Sequence, residues 1–229
     1  MTTLTGYCQS SIGRKQIVAT TGLLLILFII SHLAGNLLIL LGPEVYNGYA
    51  QKLAGLRPGL YLVEIALAGV FIIHIYFTAL LVLENIAARS QRYNVYNPKG
   101  ERSLAARLMP YTGTYLLAFI IWHLIDFTFV DKHGPRSFLP DGKSYELYGI
   151  VYNSFADPGH SILYIVAMLA LGFHLGHGVA SFMQTFGFNH PVYAPRIKRF
   201  SYLFASVITF GYCLIPLYVM YEFKILYCQ

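Results

Sequence analysis

The stretch IVATTGLLLILFIISHLAGNLLILL, from Ile17 to Leu41, is the clearest indication of the fold, because it runs for 25 residues without Asp, Glu, Lys or Arg. A run of about 20 apolar residues is enough for one helix to cross a bilayer. The only ionisable side chain in the stretch is His32. Such a group is costly inside a membrane unless it faces a partner, a cavity or a cofactor. The stretch therefore predicts a transmembrane helix that carries a functional candidate.

Similar apolar runs recur along the chain, which has 229 residues, 11% of them charged, and a mean hydropathy of +0.56. A soluble domain would be about 25% charged. The pattern predicts one all-α integral membrane domain over residues 1–229, with five transmembrane helices. The predicted spans are Lys15 to Leu41, Gly59 to Ala88, Leu108 to Val130, Pro158 to Phe186 and Phe200 to Tyr221. The connection from Asp131 to Asp157 is polar, which favours a loop with room for a short surface helix.

Basic residues in the loops predict the orientation, because cytoplasmic loops of membrane proteins are enriched in Lys and Arg. The basic residues assigned to one face are Arg14, Lys15, Arg89, Arg92, Lys99, Arg102, Arg107, Arg196, Lys198 and Arg199. On the opposite face the basic residues are diluted by Asp and Glu. We therefore expect a cytoplasmic N-terminus and a C-terminus on the periplasmic side. The net charge of +6 reflects this basic face, and we expect no nucleic-acid partner.

Four histidines lie on four different predicted spans: His32, His74, His123 and His174. At about 1.5 Å per residue, His32 and His123 lie roughly 14 and 12 Å from the outer ends of their helices. His74 and His174 both lie roughly 24 Å from that face. The result is two layers, each with histidines from two helices. This arrangement predicts two flat macrocycles with an imidazole on each side, held in a bundle of the first four helices.

Other interpretations of these histidines stay open at this point. Each one can instead be hydrogen-bonded to a neighbouring helix, and zinc fits less well because the layers are roughly 10 Å apart. His177 lies one turn after His174 but matches the depth of His74 less well, so His174 is preferred as the ligand. Three histidines in loops or at span ends are expected at the surface: His133, His160 and His190.

The surroundings of the four histidines suit a haem that is not covalently attached. The chain has no C-x-x-C-H motif, so coordination alone would hold the haem. The glycines expected to let a bulky ring approach the backbone are Gly35, Gly172, Gly176 and Gly178. Because glycine is also common at plain contacts between membrane helices, that alternative stays open.

The sequence around these residues resembles one family over nearly the whole chain. The segments that carry the likeness are SSIGRK (Ser10–Lys15), SHLAGNL (Ser31–Leu37), IIHIYF (Ile72–Phe77), IIWHLIDF (Ile120–Phe127) and FHLGHGVASF (Phe173–Phe182). They are similar to the five-helix, dihaem cytochrome b subunit of succinate:quinone oxidoreductases and quinol:fumarate reductases. The histidine motifs occur in the order that this family shows on its first four spans.

The resemblance implies two haems b, with His32 and His123 as iron ligands of the distal haem and His74 and His174 as those of the proximal one. It also implies a bacterial cytoplasmic (inner) membrane and a place in the respiratory chain and the tricarboxylic acid cycle. The partners would be an FAD-containing flavoprotein and an iron–sulfur subunit on the cytoplasmic face, with menaquinone or another quinone as electron carrier. Dicarboxylate chemistry would lie on the flavoprotein. Whether the heterotrimer dimerises stays open.

Two carboxyl groups are candidates for proton transfer to the quinone. Glu64 lies roughly 9 Å below the outer surface, where a carboxyl is costly unless it is hydrogen-bonded or functional. Asp126 lies one turn after His123 and invites the same interpretation. Glu64 can alternatively be a helix N-terminal acid that reaches water. Some dihaem fumarate reductases have a glutamate two residues before the fourth-span ligand, but Gly172 is at that position here, which leaves the physiological direction open.

Four cations near the cytoplasmic boundary are candidate partners for haem propionates, because cationic donors pair well with carboxylates. They are Arg14, Lys15, Lys198 and Arg199, and the alternative is that they only set the orientation. Two other functions compete with the leading one. The first is the dihaem cytochrome b of a hydrogenase or formate dehydrogenase, and the second is a haem-free transporter or scaffold whose histidines relay protons.

Overall fold

The computed structural model describes residues 4–88, 104–130 and 146–227, and every regular element within these ranges is helical. The helices are α1 (Leu4–Gln9), α2 (Ser11–Leu37) with a 3-10 turn (Leu38–Leu41), α3 (Pro43–Gly55), α4 (Gly59–Ala87), α5 (Leu104–Phe127), α6 (Glu146–Ala156), α7 (Pro158–Thr185) and α8 (Ala194–Tyr227). Five of them are long and apolar enough to cross a membrane: α2, α4, α5, α7 and α8. The five predicted spans are therefore confirmed.

Local signals in the sequence account for where several helices begin and end. The Ser10 hydroxyl caps α2 by accepting a 3.0 Å hydrogen bond from the Gly13 amide, as an N-cap residue does. Asp157 caps α7 in the same way, with Pro158 at the first helical position. Gly42 separates the 3-10 turn from α3 with a φ of +94°, a conformation in which glycine has no steric penalty.

The fifth span is longer than predicted, because α8 already begins at Ala194 and continues to Tyr227. Its first turns include the charged residues Lys198 and Arg199, so their hydropathy is too low to mark them as part of a membrane span. Hydropathy therefore locates the apolar part of a helix and misses polar turns at its ends. For the same reason α5 already includes residues before Leu108.

Two short helices, α3 and α6, cap one end of the bundle and pack against each other. The sequence predicted at most a surface helix before Asp157. That prediction was wrong about the surface, because Tyr148, Val151, Tyr152 and Phe155 of α6 are buried in an aromatic-rich core. The remainder of that connection, residues 131–145, which includes His133, lies outside the described residues.

The spanning helices do not all pack on each other. α7 and α8 form the most extensive contact, and α2 packs against both of them and against α4. Within the described part of the chain, α4 packs closely only on α2, and α5 packs closely only on α7. The main core of the membrane region therefore lies on the α2–α7–α8 side, around Leu33, Leu175 and Val179. The α4 and α5 helices form the outer walls.

The orientation in the membrane stays a prediction. Four of the basic residues that determine it, Arg89, Arg92, Lys99 and Arg102, lie outside the described ranges. The N-terminal end of α2 and the C-terminal end of α4 lie at the same end of the bundle, where Arg14 forms an ion pair with Glu84.

Candidate functional site

His32 and His123 face each other across the bundle. Their ring centroids are 5.8 Å apart and the ring planes are perpendicular. His32 lies on α2 and His123 on α5, two helices that are not among the closely packed pairs of the described chain. The two side chains therefore meet across a gap between their backbones. The first of the two predicted pairs is brought together in space.

His74 and His174, on α4 and α7, are the second predicted pair. They are near enough for their charges to interact, although α4 and α7 are likewise not among the closely packed pairs of the described residues. His177, one turn further along α7, also interacts electrostatically with His174. The four predicted ligands thus form two pairs, each joining two helices whose backbones are held apart.

A threonine on an adjoining helix contacts each histidine of the second pair. Thr21 Oγ1 of α2 lies 3.0 Å from Nδ1 of His74, and Thr112 Oγ1 of α5 lies 3.2 Å from Nδ1 of His174. Both threonines are buried, with 7% and 9% exposure. Sequence reasoning missed both of them, because an isolated threonine in an apolar helix has no distinctive signal by itself.

The glycine after each of these threonines makes room for the same imidazole. A Cβ built on Gly22 would lie 3.4 Å from Cε1 of His74, and one built on Gly113 would lie 3.4 Å from Cε1 of His174. The side chains of these two histidines therefore lie directly over a neighbouring backbone. A residue larger than alanine at either position would have to displace the ring.

Three of the four glycines that the sequence singled out for this purpose face protein side chains. The space beside Gly35 is filled by Tyr49, that beside Gly172 by Thr209, and that beside Gly176 by Tyr202. No described atom lies within 4 Å of a Cβ built on Gly178. The first three glycines are thus packing positions that admit protein side chains, which is the alternative that the sequence had left open.

A polar cluster adjoins His123 at the capped end of the bundle. Tyr164 donates a 2.6 Å hydrogen bond to Oδ2 of Asp126, and its hydroxyl lies 3.5 Å from Nδ1 of His123. Nε2 of His160 lies 3.2 Å from the same Asp126 oxygen, and the His160 ring stacks on Tyr164. The predicted surface position of His160 was wrong, because this side chain is only 18% exposed. His190 is exposed, as predicted.

Asn36, in the SHLAGNL segment, connects the first histidine pair to the capping helix α3. Its side-chain amide donates a 2.8 Å hydrogen bond to the backbone carbonyl of His32. Its oxygen accepts a 2.9 Å hydrogen bond from the hydroxyl of Tyr46. Burial, and to a smaller extent Tyr49, raises the pKa of Tyr46, so this hydroxyl stays a donor over the physiological range.

Glu64 and the four candidate cations lie away from these clusters. Glu64 forms a 3.2 Å ion pair with Arg57 and is half exposed. Arg14 is paired with Glu84 and donates through Nε to the carbonyl of Cys8. The other three cations are exposed: Lys15, Lys198 and Arg199. Their roles toward a quinone or a propionate stay predictions.

The two pairs fit haem iron, which takes its axial ligands from the protein and its four equatorial ligands from the porphyrin. A metal ion about 2.0 Å from one nitrogen of each imidazole places the ring centroids roughly 6 Å apart, close to the spacing of His32 and His123. Each pair can supply the two axial ligands of a six-coordinate haem iron.

Comparisons with known protein families, with curated proteins and with solved structures find no match to this chain. The likeness to the dihaem cytochrome b family therefore remains a resemblance carried by the short histidine motifs. The functional conclusion depends on those motifs and on the geometry described above.

Proposed function

We propose that this chain is the membrane-anchor cytochrome b subunit of a succinate:quinone oxidoreductase or quinol:fumarate reductase. His32 and His123 would hold one haem b, and His74 and His174 the other. The histidine motifs support the family, and the pairing of the four imidazoles supports the cofactor.

The facing of His32 and His123 is the observation that carries the proposal. A histidine with a purely structural role is usually hydrogen-bonded to an adjoining helix, and His123 has such a partner in Tyr164 on α7. That contact does not explain why the imidazole of His32 faces His123. Here two imidazoles meet from helices that are not closely packed. Two partly buried imidazoles gain little from each other, and they repel when protonated. A metal centre between them gives the arrangement a function.

Haem bound at these sites supplies one-electron transfer. The part of this chain is to orient the four imidazoles, to keep water out of the bundle and to handle protons. Electrons would pass between an iron–sulfur subunit on the cytoplasmic face and a quinone in the membrane. Succinate or fumarate would react on an FAD-containing flavoprotein, so this chain needs no dicarboxylate site.

Quinone chemistry couples two electrons to two protons, so a quinone site needs titratable groups nearby. Asp126 is the best-placed candidate, because it is bonded to Tyr164, which in turn contacts His123. Glu64 is a weaker candidate in this structure, since its carboxylate is half exposed and paired with Arg57. We therefore expect the quinone, menaquinone by resemblance, to exchange protons through the Asp126 cluster first.

A reduced-minus-oxidised spectrum of the purified protein, together with a haem assay, tests the proposal. Two b-type haems per chain support it, and a protein that contains no haem after expression with excess haem precursor contradicts it. Co-purification of a flavoprotein and an iron–sulfur protein then separates this family from other respiratory dehydrogenases. Rates of succinate oxidation and fumarate reduction with a menaquinone analogue establish the direction.

A haem-free proton relay is the second candidate, and the polar cluster at Asp126 favours it. Asp126, His160 and Tyr164 connect a titratable acid to His123 inside the bundle, as in proton-conducting membrane proteins. This function does not account for the second pair, His74 and His174, which has no carboxylate among its described contacts. The same spectrum distinguishes the two functions, because the relay requires no haem.

A further inference from the structure

The same local arrangement occurs twice in the chain. Thr21-Gly22 on α2 contacts His74, and Thr112-Gly113 on α5 contacts His174. Each threonine also precedes the histidine of the other layer on its own helix, His32 or His123, by 11 residues. Eleven residues are close to three helical turns. On α2, one face therefore carries both Thr21, which contacts the proximal layer, and His32, which belongs to the distal layer. On α5, Thr112 and His123 are related in the same way.

The hydrogen bonds of Thr21 determine which nitrogen of His74 carries a proton. The Thr21 hydroxyl donates to the carbonyl of Ile17 on its own helix, at 2.8 Å, so its oxygen is left to accept. With the hydroxyl hydrogen directed to that carbonyl, Nδ1 of His74, 3.0 Å away, is assigned as the donor. A neutral imidazole with a proton on Nδ1 has a free lone pair on Nε2.

Thr112 has the same pattern toward His174. Its hydroxyl donates to the carbonyls of its own helix, 3.1 Å from Leu108 and 3.2 Å from Met109. Its oxygen is thus an acceptor for Nδ1 of His174 at 3.2 Å. Both histidines of the pair are therefore held in the tautomer that leaves Nε2 available to a metal.

We infer that Thr21 and Thr112 are positioning residues for the proximal haem, which fix the tautomer and ring orientation of its two axial ligands. This inference rests on the proposed function. Metal-bound histidines usually donate their second ring N–H to an acceptor, which orients the ring and makes it a better electron donor. The Gly after each threonine lets the imidazole approach close enough for that bond.

The test replaces each threonine by valine, which keeps the shape and removes the acceptor. In the purified dihaem protein, Thr21→Val and Thr112→Val should weaken the binding of one haem by about 10- to 100-fold, the usual effect of losing such a partner. The midpoint potential of that haem should shift upward, because a poorer electron donor stabilises ferric iron less. Both variants should affect the same haem, namely the one that His74→Ala removes.

Matched controls are provided by the chain itself. Thr20→Val and Thr114→Val remove exposed hydroxyls that bond only to their own helices in the described structure, and should leave both haems unchanged. Thr21→Ser and Thr112→Ser keep the acceptor and should retain the wild-type potential and spectrum. If one valine variant does not accumulate as folded protein, the variant on the other helix tests the same claim.

Haem retention, measured by transfer to excess apomyoglobin, and redox titration are the readouts, and neither depends on enzyme activity. Valine variants that match the Thr20→Val and Thr114→Val controls would overturn the inference and leave the proposed function standing. Serine variants that fail like valine would also overturn it, because packing rather than the acceptor would then be the cause. A wild-type protein without haem would overturn both.

Discussion

Tyr164 and Asp126 join α7 to α5 through a 2.6 Å hydrogen bond, in which the tyrosine hydroxyl donates to the carboxylate. The bond lies at the end of the bundle that α3 and α6 cover. It explains how an acid is tolerated near the end of a spanning helix, since a hydrogen-bonded carboxylate is much less costly there than a bare one. The bond also sets the environment of His123.

Replacing Tyr164 by phenylalanine should destabilise the protein. The change removes the donor and leaves the Asp126 carboxylate partly unsatisfied, which costs about 1–3 kcal/mol of the free energy of unfolding. Thermal denaturation in detergent measures the loss. The control is Tyr111→Phe on α5, whose side chain is 74% exposed, and an equal effect of the two substitutions would contradict the prediction.

If the proposed function holds, alanine at His174 should remove one of the two proposed haems, and alanine at His177 should leave both. The reason is that His174 has the threonine partner and lies near His74, whereas His177 lies one turn away. Haem content per chain and the reduced-minus-oxidised spectrum provide the measurement. Two haems retained in His174→Ala would show that another side chain is the ligand.

Substitution of Glu64 by glutamine should change the stability by less than about 1 kcal/mol, because its partner Arg57 is also well exposed and surface ion pairs contribute little. A slower quinone turnover with an unchanged haem spectrum would then indicate a chemical role. Arg57→Gln is the matched variant, since it breaks the same pair and keeps the carboxylate. If both variants turn over at the wild-type rate, Glu64 has no part in proton transfer.

Two glycines should respond in opposite ways to alanine. A Cβ on Gly211 would lie 2.9 Å from the buried Leu33, and such overpacking costs about 1–3 kcal/mol. A Cβ on Gly178 meets no described atom within 4 Å, so alanine there should be neutral or should stabilise the helix by up to about 1 kcal/mol. Thermal unfolding of the two variants beside the wild type tests this contrast.

Tyr46 should make the protein sensitive to alkali. Burial raises its pKa, so the folded state favours the neutral phenol, and this contribution is complete below the unfolded value of about 10. It is lost as the pH rises above 10 toward the folded pKa. At neutral pH, Tyr46→Phe should lower the free energy of unfolding by about 1 kcal/mol, because it removes the hydrogen bond to Asn36. Between pH 9 and 11, the stability of this variant should fall less than that of the wild type.

The sequence predicted the five spanning helices because long apolar runs have few alternatives in a chain of this composition. It did not predict α3, and it placed the α6 region at the surface. Short helices at the end of a bundle have no membrane signal, and their burial depends on partners distant in sequence. For example, the ring of Tyr148 on α6 packs edge-to-face against the ring of Tyr46 on α3.

The histidine pairs were predictable because the depth of each histidine below the membrane surface follows from the number of residues between it and the end of its helix. His160 was misjudged because its partner, Asp126, lies on another helix, and a position near a span end resembles the surface. Thr21 and Thr112 were missed for a different reason. Their signal is the recurrence of Thr-Gly 11 residues before a histidine, which appears only when two spans are compared with each other.

The peripheral position of α4 has a consequence for what holds this helix in the bundle. Within the described chain, this helix has no buried residue and packs closely against one neighbour, α2. If haem bridges His74 to His174, the prosthetic group also joins α4 to α7 in the central core. A chain without haem would then hold α4 only through its contact with α2.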